Sequence, residues 1–102
     1  MSENFDLAFT EFLDAVQQGI NTIPESVRGS VILKSGSKNI KVMQKGFGSL
    51  SVYCFVEKAT GDILKPASYK AAVKGARGNI YKPSTYEGAR RDPYGGWLYL
   101  RL

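Results

Sequence analysis

The sequence predicts an α+β fold in which one N-terminal amphipathic helix packs on an antiparallel sheet of four or five strands. Apolar residues recur at helical spacing near the start of the chain, and short runs of β-branched and aromatic residues follow Pro24. Glycine-containing turns separate those runs. Because the chain has 102 residues, of which 43% are hydrophobic, we expect a single domain, residues 1–102, with one modest core.

Residues 1–22 are predicted to form an acidic amphipathic helix. Six apolar side chains fall on one stripe of that helix: Phe5, Phe9, Phe12, Leu13, Val16 and Ile20. Ser2 is placed to cap its start, and Gly19, Asn21 and Pro24 mark its end. The stripe predicts a helix that faces the core and has a solvated acidic back. The alternatives are a helix that binds a partner and an acidic surface that mimics nucleic acid.

Residues 28–65 are predicted to form a β-meander. Strands are expected over 30–34, 39–43, 50–58 and 62–65. The third strand is placed at the centre of the sheet because apolar residues occupy both of its faces. Gly36 provides the first turn, and ATGD at 59–62 provides the hairpin turn before the fourth strand.

Residues 66–96 are predicted to be a basic loop region that contains glycine and tyrosine. Within it, we expect a short helix over 68–74, a tight loop over 75–79 and an irregular surface loop over 84–96. The closing segment WLYLRL, residues 97–102, alternates in the manner of a strand inserted into the sheet, with Trp97 expected in the core. If that strand lies at an edge, it can pair with its copy in a homodimer.

The charge is unevenly distributed along the chain. Residues 1–27 contain five acidic and no basic residues, whereas residues 28–102 contain all fourteen Lys and Arg with four acids. Between 65 and 91, basic residues are interleaved with tyrosines. Basic side chains attract phosphates, and aromatic rings stack on unpaired bases.

This segment therefore predicts a surface that binds nucleic acid. Its basic members are Lys65, Lys70, Lys74, Arg77, Lys82, Arg90 and Arg91, and its stacking candidates are Tyr69, Tyr81 and Tyr86. The alternatives are a solvated loop whose tyrosines only pack locally, and a surface that binds an acidic protein.

Catalytic and cofactor sites have weaker support. The chain has no histidine, and therefore lacks the commonest general base and the commonest zinc ligand. Cys54, the only cysteine, lies mid-strand and is predicted to be a buried packing thiol. GARGN at 75–79 matches neither a Walker motif nor a dinucleotide fingerprint. We predict no enzymatic activity and no cofactor; a metal-dependent nuclease using Asp62, Glu87 and Asp92 is the weak alternative.

Residues 55–81 resemble a family of small, uncharacterised tailed-bacteriophage proteins. The shared pattern is carried by Phe55, Val56, Lys58, Thr60, Gly61, Asp62, Lys65, Ala67, Ser68, Lys70, Lys74, Ala76, Arg77, Gly78, Asn79 and Ile80. Members commonly have proline where Ala72 stands, which implies an extended loop over 68–74 in place of a helix. The resemblance implies a viral source and the cytoplasm of an infected bacterium, adds Ser68 and Asn79 to the candidate site, and implies no activity.

The leading hypothesis is a small phage accessory protein that binds nucleic acid, with single strands favoured and DNA or RNA undetermined. The alternative is a protein–protein interaction module, either a modulator of a host protein or a minor virion component. We expect no membrane association, because no apolar run approaches the roughly 20 residues that a spanning helix needs. The acidic N-terminus is unlike a secretory signal.

Overall fold

The computed structural model describes residues 3–24, 28–46, 49–92 and 95–99. In chain order, the elements are α1 (Glu3–Ile20), β1 (Ser30–Ser35), β2 (Asn39–Gly46), β3 (Ser49–Glu57), β4 (Asp62–Pro66), β5 (Ala72–Asn79) and two 3-10 helices, η1 (Pro83–Arg90) and η2 (Gly96–Tyr99). The strands form one antiparallel sheet in the order β1-β2-β3-β4-β5. The predicted α+β fold, with an N-terminal helix and an antiparallel sheet, is confirmed.

The core lies between α1 and one face of the sheet. The apolar stripe of α1 buries Phe5, Phe12 and Val16, and these residues belong to one cluster with Val42 and Cys54 of the sheet. Acidic residues on the other side of α1 are exposed. The helix therefore forms because its apolar residues recur every three or four positions and have a sheet face to cover.

A β-bulge in β3 brings an additional aromatic side chain into this core. Val42 pairs with Cys54, but the next residue, Met43, pairs with Val52, so Tyr53 is the extra residue. Two successive residues of β3 are thereby buried in the core cluster. Without the bulge, alternation would direct Tyr53 to the opposite face of the sheet.

The opposite face of the sheet has a small apolar layer of its own. Met43 and Phe55 are buried, yet neither belongs to the core cluster under α1. Both alternate in sequence with core residues, which places them on the other face. β3 is therefore covered on both faces, as the sequence predicted for the central strand.

The predicted helix over 68–74 and loop over 75–79 are wrong, because residues 72–79 form β5. Asp62 pairs with Asn79 and Pro66 with Ala72, so the segment returns along β4. A helix of two turns has little intrinsic stability, whereas strand pairing satisfies the backbone groups of both segments. Residues 67–70 bend before β5, so the extended loop over 68–74 that the phage-family resemblance implied is replaced from Ala72 onward by a strand.

The irregular loop predicted over 84–96 and the strand predicted over 97–102 also need correction. Residues 83–90 form η1, and residues 96–99 form η2, which buries both Trp97 and Leu98. A half-buried strand would bury only one of two successive residues, whereas one helical turn can bury both. Residues 100–102 and the predicted cap Ser2 lie outside the described residues.

Candidate functional site

The sheet face opposite α1 carries a row of lysines that the sequence prediction did not include. Lys41 and Lys45 lie on the same face of β2, on either side of Met43. Lys34 of β1 pairs directly with Lys41. We call this surface the lysine face and define it by Lys34, Lys41, Lys45, Phe55 and Tyr69.

Two aromatic rings hold the central lysine of this surface. The Lys41 ammonium lies 3.8 Å from the ring centroid of Tyr69 and 5.9 Å from that of Phe55. A cation over an aromatic face is attracted by the ring quadrupole. Tyr69 is therefore connected to the sheet by Lys41, although its own segment lies between β4 and β5.

None of the lysines of the lysine face forms an ion pair with a described residue, although Glu57, the next residue after Phe55 on this side of β3, lies at one end of the same face. The two ion pairs formed by described residues are Lys38 with Glu57, at 4.0 Å, and Arg90 with Glu87, at 3.6 Å. Like charges directly opposite each other on a sheet are destabilising. The Lys34–Lys41 pair is therefore a concentration of positive charge that a bound anion would relieve.

An open groove lies beside this charge. Its volume is about 330 Å³, and it is lined by Leu50, Val52, Pro66, Ala67, Ser68 and Tyr69. Strand register connects the groove to the lysines, because Lys45 pairs with Leu50 and Met43 pairs with Val52. The structure thus places an apolar groove, an exposed tyrosine and a row of ammonium groups on one surface.

Of the residues predicted from the sequence, Tyr69, Lys70 and Ser68 lie beside the lysine face. Tyr69 is 47% exposed, and Lys70 is exposed next to it. The hydroxyl of Ser68 accepts a hydrogen bond from the Lys70 backbone N–H at 3.4 Å. These three residues belong to the bend over 67–70 that borders the groove.

Tyr86, Arg90 and Arg91 lie elsewhere, in or beside η1, on the side of the sheet that α1 covers. Tyr86 is fully buried, and its ring meets that of Phe12 at 5.2 Å. It cannot stack on a base, so its prediction as a stacking residue is corrected. The predicted set is therefore divided between the two sides of the sheet.

Lys65 is also directed to the side of the sheet that α1 covers. Its ammonium lies 4.4 Å from the ring centroid of Tyr99 in η2. Its neighbour Leu64 pairs with Phe55, a member of the lysine face. Because side chains alternate along β4, Lys65 lies on the opposite face of the sheet.

Asn79 has a structural role at the turn between β3 and β4. Its amide nitrogen donates to the Thr60 carbonyl at 3.0 Å and to Asp62 Oδ1 at 2.9 Å, and its amide oxygen accepts from the Tyr81 backbone N–H at 2.9 Å. These bonds use both ends of the amide. Asn79 is therefore engaged in supporting this turn.

The remaining candidates lie along β5 and just after it. Arg77 is the extra residue of a bulge, because Ile63 pairs with Gly78 and Leu64 with Ala76. Lys74, Tyr81 and Lys82 are exposed. Tyr81 packs beside Gly61, where a side-chain Cβ would lie only 2.7 Å from the tyrosine ring.

Groups that could support catalysis are dispersed or engaged. Burial raises the pKa of the Cys54 thiol well above its usual range, which makes it a poor nucleophile. Asp62 accepts from Asn79, and Glu87 lies beside Arg90. Within the described ranges, no group of three or more acidic or cysteine side chains is arranged to hold a metal ion. No described helix has the length and apolar character of a membrane span.

A comparison with protein families adds one result. A family model matches residues 7–100, which is nearly the whole chain. The chain belongs to the family of unknown function DUF7717. No curated protein matches the chain, and no solved structure matches it. The matched region includes most of α1 and all of η2 as well as the sheet, but membership of this family assigns no activity.

Proposed function

We propose that this protein binds nucleic acid through the lysine face. The observation that supports the proposal is the direct pairing of Lys34 with Lys41, neither of which forms an ion pair with a described acid. Lys45 continues the row along β2, and Lys70 flanks it on the adjoining bend. Polyanions bind such a row by releasing condensed counterions from the phosphates.

The aromatic part of the surface favours nucleic acid over other polyanions. Tyr69 is half exposed and lies beside the lysines rather than apart from them. Rings in that position can stack on bases, which gives an affinity that phosphate contacts alone do not supply. We place this binding, on the resemblance to phage proteins, in a small accessory protein that acts in the infected bacterial cytoplasm.

The test is a comparison of two doubly substituted proteins with the same loss of charge. Lys34→Gln with Lys45→Gln removes two members of the lysine face and leaves the Lys41–Tyr69 contact in place. Lys82→Gln with Arg91→Gln removes two exposed cations that lie outside it. Fluorescence anisotropy with a labelled DNA or RNA oligonucleotide at low salt measures the affinity of each.

We expect the first variant to bind about tenfold more weakly or worse, and the second to bind nearly as well as the unsubstituted protein. Equal losses of affinity in both variants would show that binding depends only on net charge, and would contradict the proposal that the lysine face is the binding surface.

A protein–protein interaction module is the second candidate, and one observation favours it. Leu7 of α1 is 62% exposed and adjoins the exposed acid Asp6. Large exposed apolar side chains beside charges often contribute to protein interfaces. Pull-down from bacterial lysate, with and without nuclease treatment, distinguishes the two functions. The interaction module is supported if one stoichiometric protein is captured, if its capture persists after nuclease treatment, and if the Leu7→Glu variant no longer captures it.

A further inference from the structure

We infer that the groove beside the lysine face takes an unpaired nucleobase, so that the protein selects single-stranded nucleic acid over duplex. The inference rests on the proposed function and names its substrate class. It follows from three features of the groove: its apolar walls, the fixed position of Tyr69, and the cations at both ends.

The walls of the groove suit the flat face of a base. Leu50, Val52 and Pro66 supply apolar surface, and no acidic residue lines it. Its volume of about 330 Å³ is at the small end of the range for ligand pockets, which fits one aromatic group rather than a long ligand. In a duplex the bases are stacked and paired, and their faces are not accessible to such a groove.

The tyrosine at the edge of the groove is held in place. One face of the Tyr69 ring is covered by the Lys41 ammonium at 3.8 Å, and the residue is still 47% exposed. The bend that carries it is closed by backbone hydrogen bonds from Ala67 and Ser68 to the Ala71 carbonyl, at 2.9 and 3.1 Å. A ring positioned in this way loses little conformational freedom when a base stacks on its open face.

The cations indicate what occupies the groove. Lys45 pairs with Leu50 at one end, and Lys41 contacts Tyr69 at the other. Four residues of extended strand separate the two lysines, a distance of roughly 13 Å. A base in the groove would therefore have an ammonium group near the backbone on each side of it. This charge complementarity favours a nucleotide over an apolar peptide side chain.

The experiment compares three labelled ligands of equal length: a single-stranded oligonucleotide, the corresponding blunt duplex, and an abasic strand that keeps the phosphates and lacks the bases. Anisotropy titrations at one salt concentration give each affinity for the unsubstituted protein. Tyr69→Ala is the test variant, and Tyr81→Ala is the matched control, because both tyrosines are 47% exposed. Thermal melting checks that both variants fold.

We expect the single strand to bind at least about tenfold more tightly than the duplex or the abasic strand. Tyr69→Ala should weaken single-strand binding by about 5- to 150-fold and leave abasic binding unchanged, whereas Tyr81→Ala should change neither. The abasic comparison needs no substitution, so the test survives if Tyr69→Ala does not fold.

Three outcomes would overturn the inference. In the first, the abasic strand binds as tightly as the single strand, and Lys34→Gln with Lys45→Gln still weakens the binding of both. The protein would then contact only the phosphates. The proposed function would stand, and the groove would have no role in binding. In the second, Tyr69→Ala and Tyr81→Ala lose the same amount of single-strand affinity, which would likewise show that the groove has no role in binding. If no ligand binds, the proposed function fails together with the inference.

Discussion

The indole nitrogen of Trp97 donates a 2.7 Å hydrogen bond to the hydroxyl oxygen of Tyr53, inside the core. The two residues are 44 positions apart and come from different elements, the bulge of β3 and the 3-10 helix η2. Burial raises the pKa of Tyr53 above its usual value, so its hydroxyl remains neutral well into the alkaline range, although the hydrogen bond from Trp97 opposes part of this shift. This bond attaches the end of the described chain to the centre of the sheet.

Removal of that acceptor should destabilise the protein. Tyr53→Phe leaves the Trp97 N–H buried without its partner, which we expect to lower the free energy of unfolding by about 1–3 kcal/mol. Urea denaturation followed by tryptophan fluorescence measures the change.

Tyr86→Phe is the matched control. The Tyr86 hydroxyl is buried and has no hydrogen-bond partner among the described residues. Its removal should therefore be neutral or slightly stabilising, since no bond is lost and an unsatisfied group is eliminated. An equal cost for both substitutions would contradict the hydrogen-bond assignment.

Stability should decline in alkaline solution, beginning with the thiol. Burial raises the folded-state pKa of Cys54 above its ordinary value of about 9, and raises those of Tyr53 and Tyr86 above about 10. In each case the unfolded chain releases its proton first, so the stabilising contribution is complete below the unfolded pKa and is lost as the pH rises above it. The slope per group is at most about 1.4 kcal/mol per pH unit.

The Cys54→Ala variant distinguishes the contribution of the thiol to this pH dependence from the contributions of the tyrosines. The variant should start from a lower stability, because a buried side chain is shortened, but its free energy of unfolding should fall less steeply between pH 9 and 10 than that of the unsubstituted protein, since only the tyrosines then contribute to the decline. Parallel curves for the two proteins over that interval would show that the thiol is not protected from ionisation.

Arg28 closes the C-terminal end of α1, which has no basic residue in its own last turn. Its guanidinium donates to the Ile23 carbonyl from two nitrogens, at 3.2 and 3.0 Å, and to the Asn21 carbonyl at 3.1 Å. A cation there satisfies carbonyl groups and complements the helix dipole. Arg28→Ala should therefore cost about 1–2 kcal/mol of unfolding free energy, measured by chemical denaturation.

Arg28→Lys is the informative companion, because it keeps the charge and loses the branched donor geometry. We expect it to recover only part of the loss. Full recovery would show that charge alone stabilises this end of the helix.

Replacement of Gly19 by alanine should destabilise the protein, whereas the same replacement of an ordinary helical glycine is stabilising. Alanine normally stabilises a helix relative to glycine by about 1 kcal/mol. Here a Cβ would lie 2.0 Å from the carbonyl oxygen of Ala89, where η1 packs against α1. Gly19→Ala should thus destabilise the protein by about 1–3 kcal/mol, measured as a lower denaturation midpoint. Gln18→Ala, at an exposed neighbouring position, should be close to neutral, and a stabilising Gly19→Ala would refute the close packing.

The sequence predicted the helix and the first four strands because their patterns are local. Alternation or helical spacing within a single segment was enough to identify them. Residues 72–79 carry no such pattern, since six of the eight are glycine or lie beside one, and only pairing with β4 makes them a strand. Residues 97–99 were misassigned because alternation over so short a segment does not exclude a helical turn.

The residues of the candidate site were predicted less well for a similar reason. Counting basic residues along the chain selected the segment after β4, yet the β2 lysines share a surface with Tyr69 through sheet register rather than sequence proximity. A signal for them was present: Lys41, Met43 and Lys45 alternate with the apolar Ile40 and Val42. Tyr86 could not be recognised as a core residue, because its burial depends on contact with Phe12.

The salt dependence of oligonucleotide binding tests the lysine face most directly. With Lys34, Lys41, Lys45 and Lys70 each meeting one phosphate, log affinity for a single strand should fall against log salt with a slope of about −2.8. Lys34→Gln with Lys45→Gln should reduce the slope to about −1.4, whereas Lys82→Gln with Arg91→Gln should leave it near −2.8. A slope near zero in the unsubstituted protein, or the same reduction in both variants, would contradict the account.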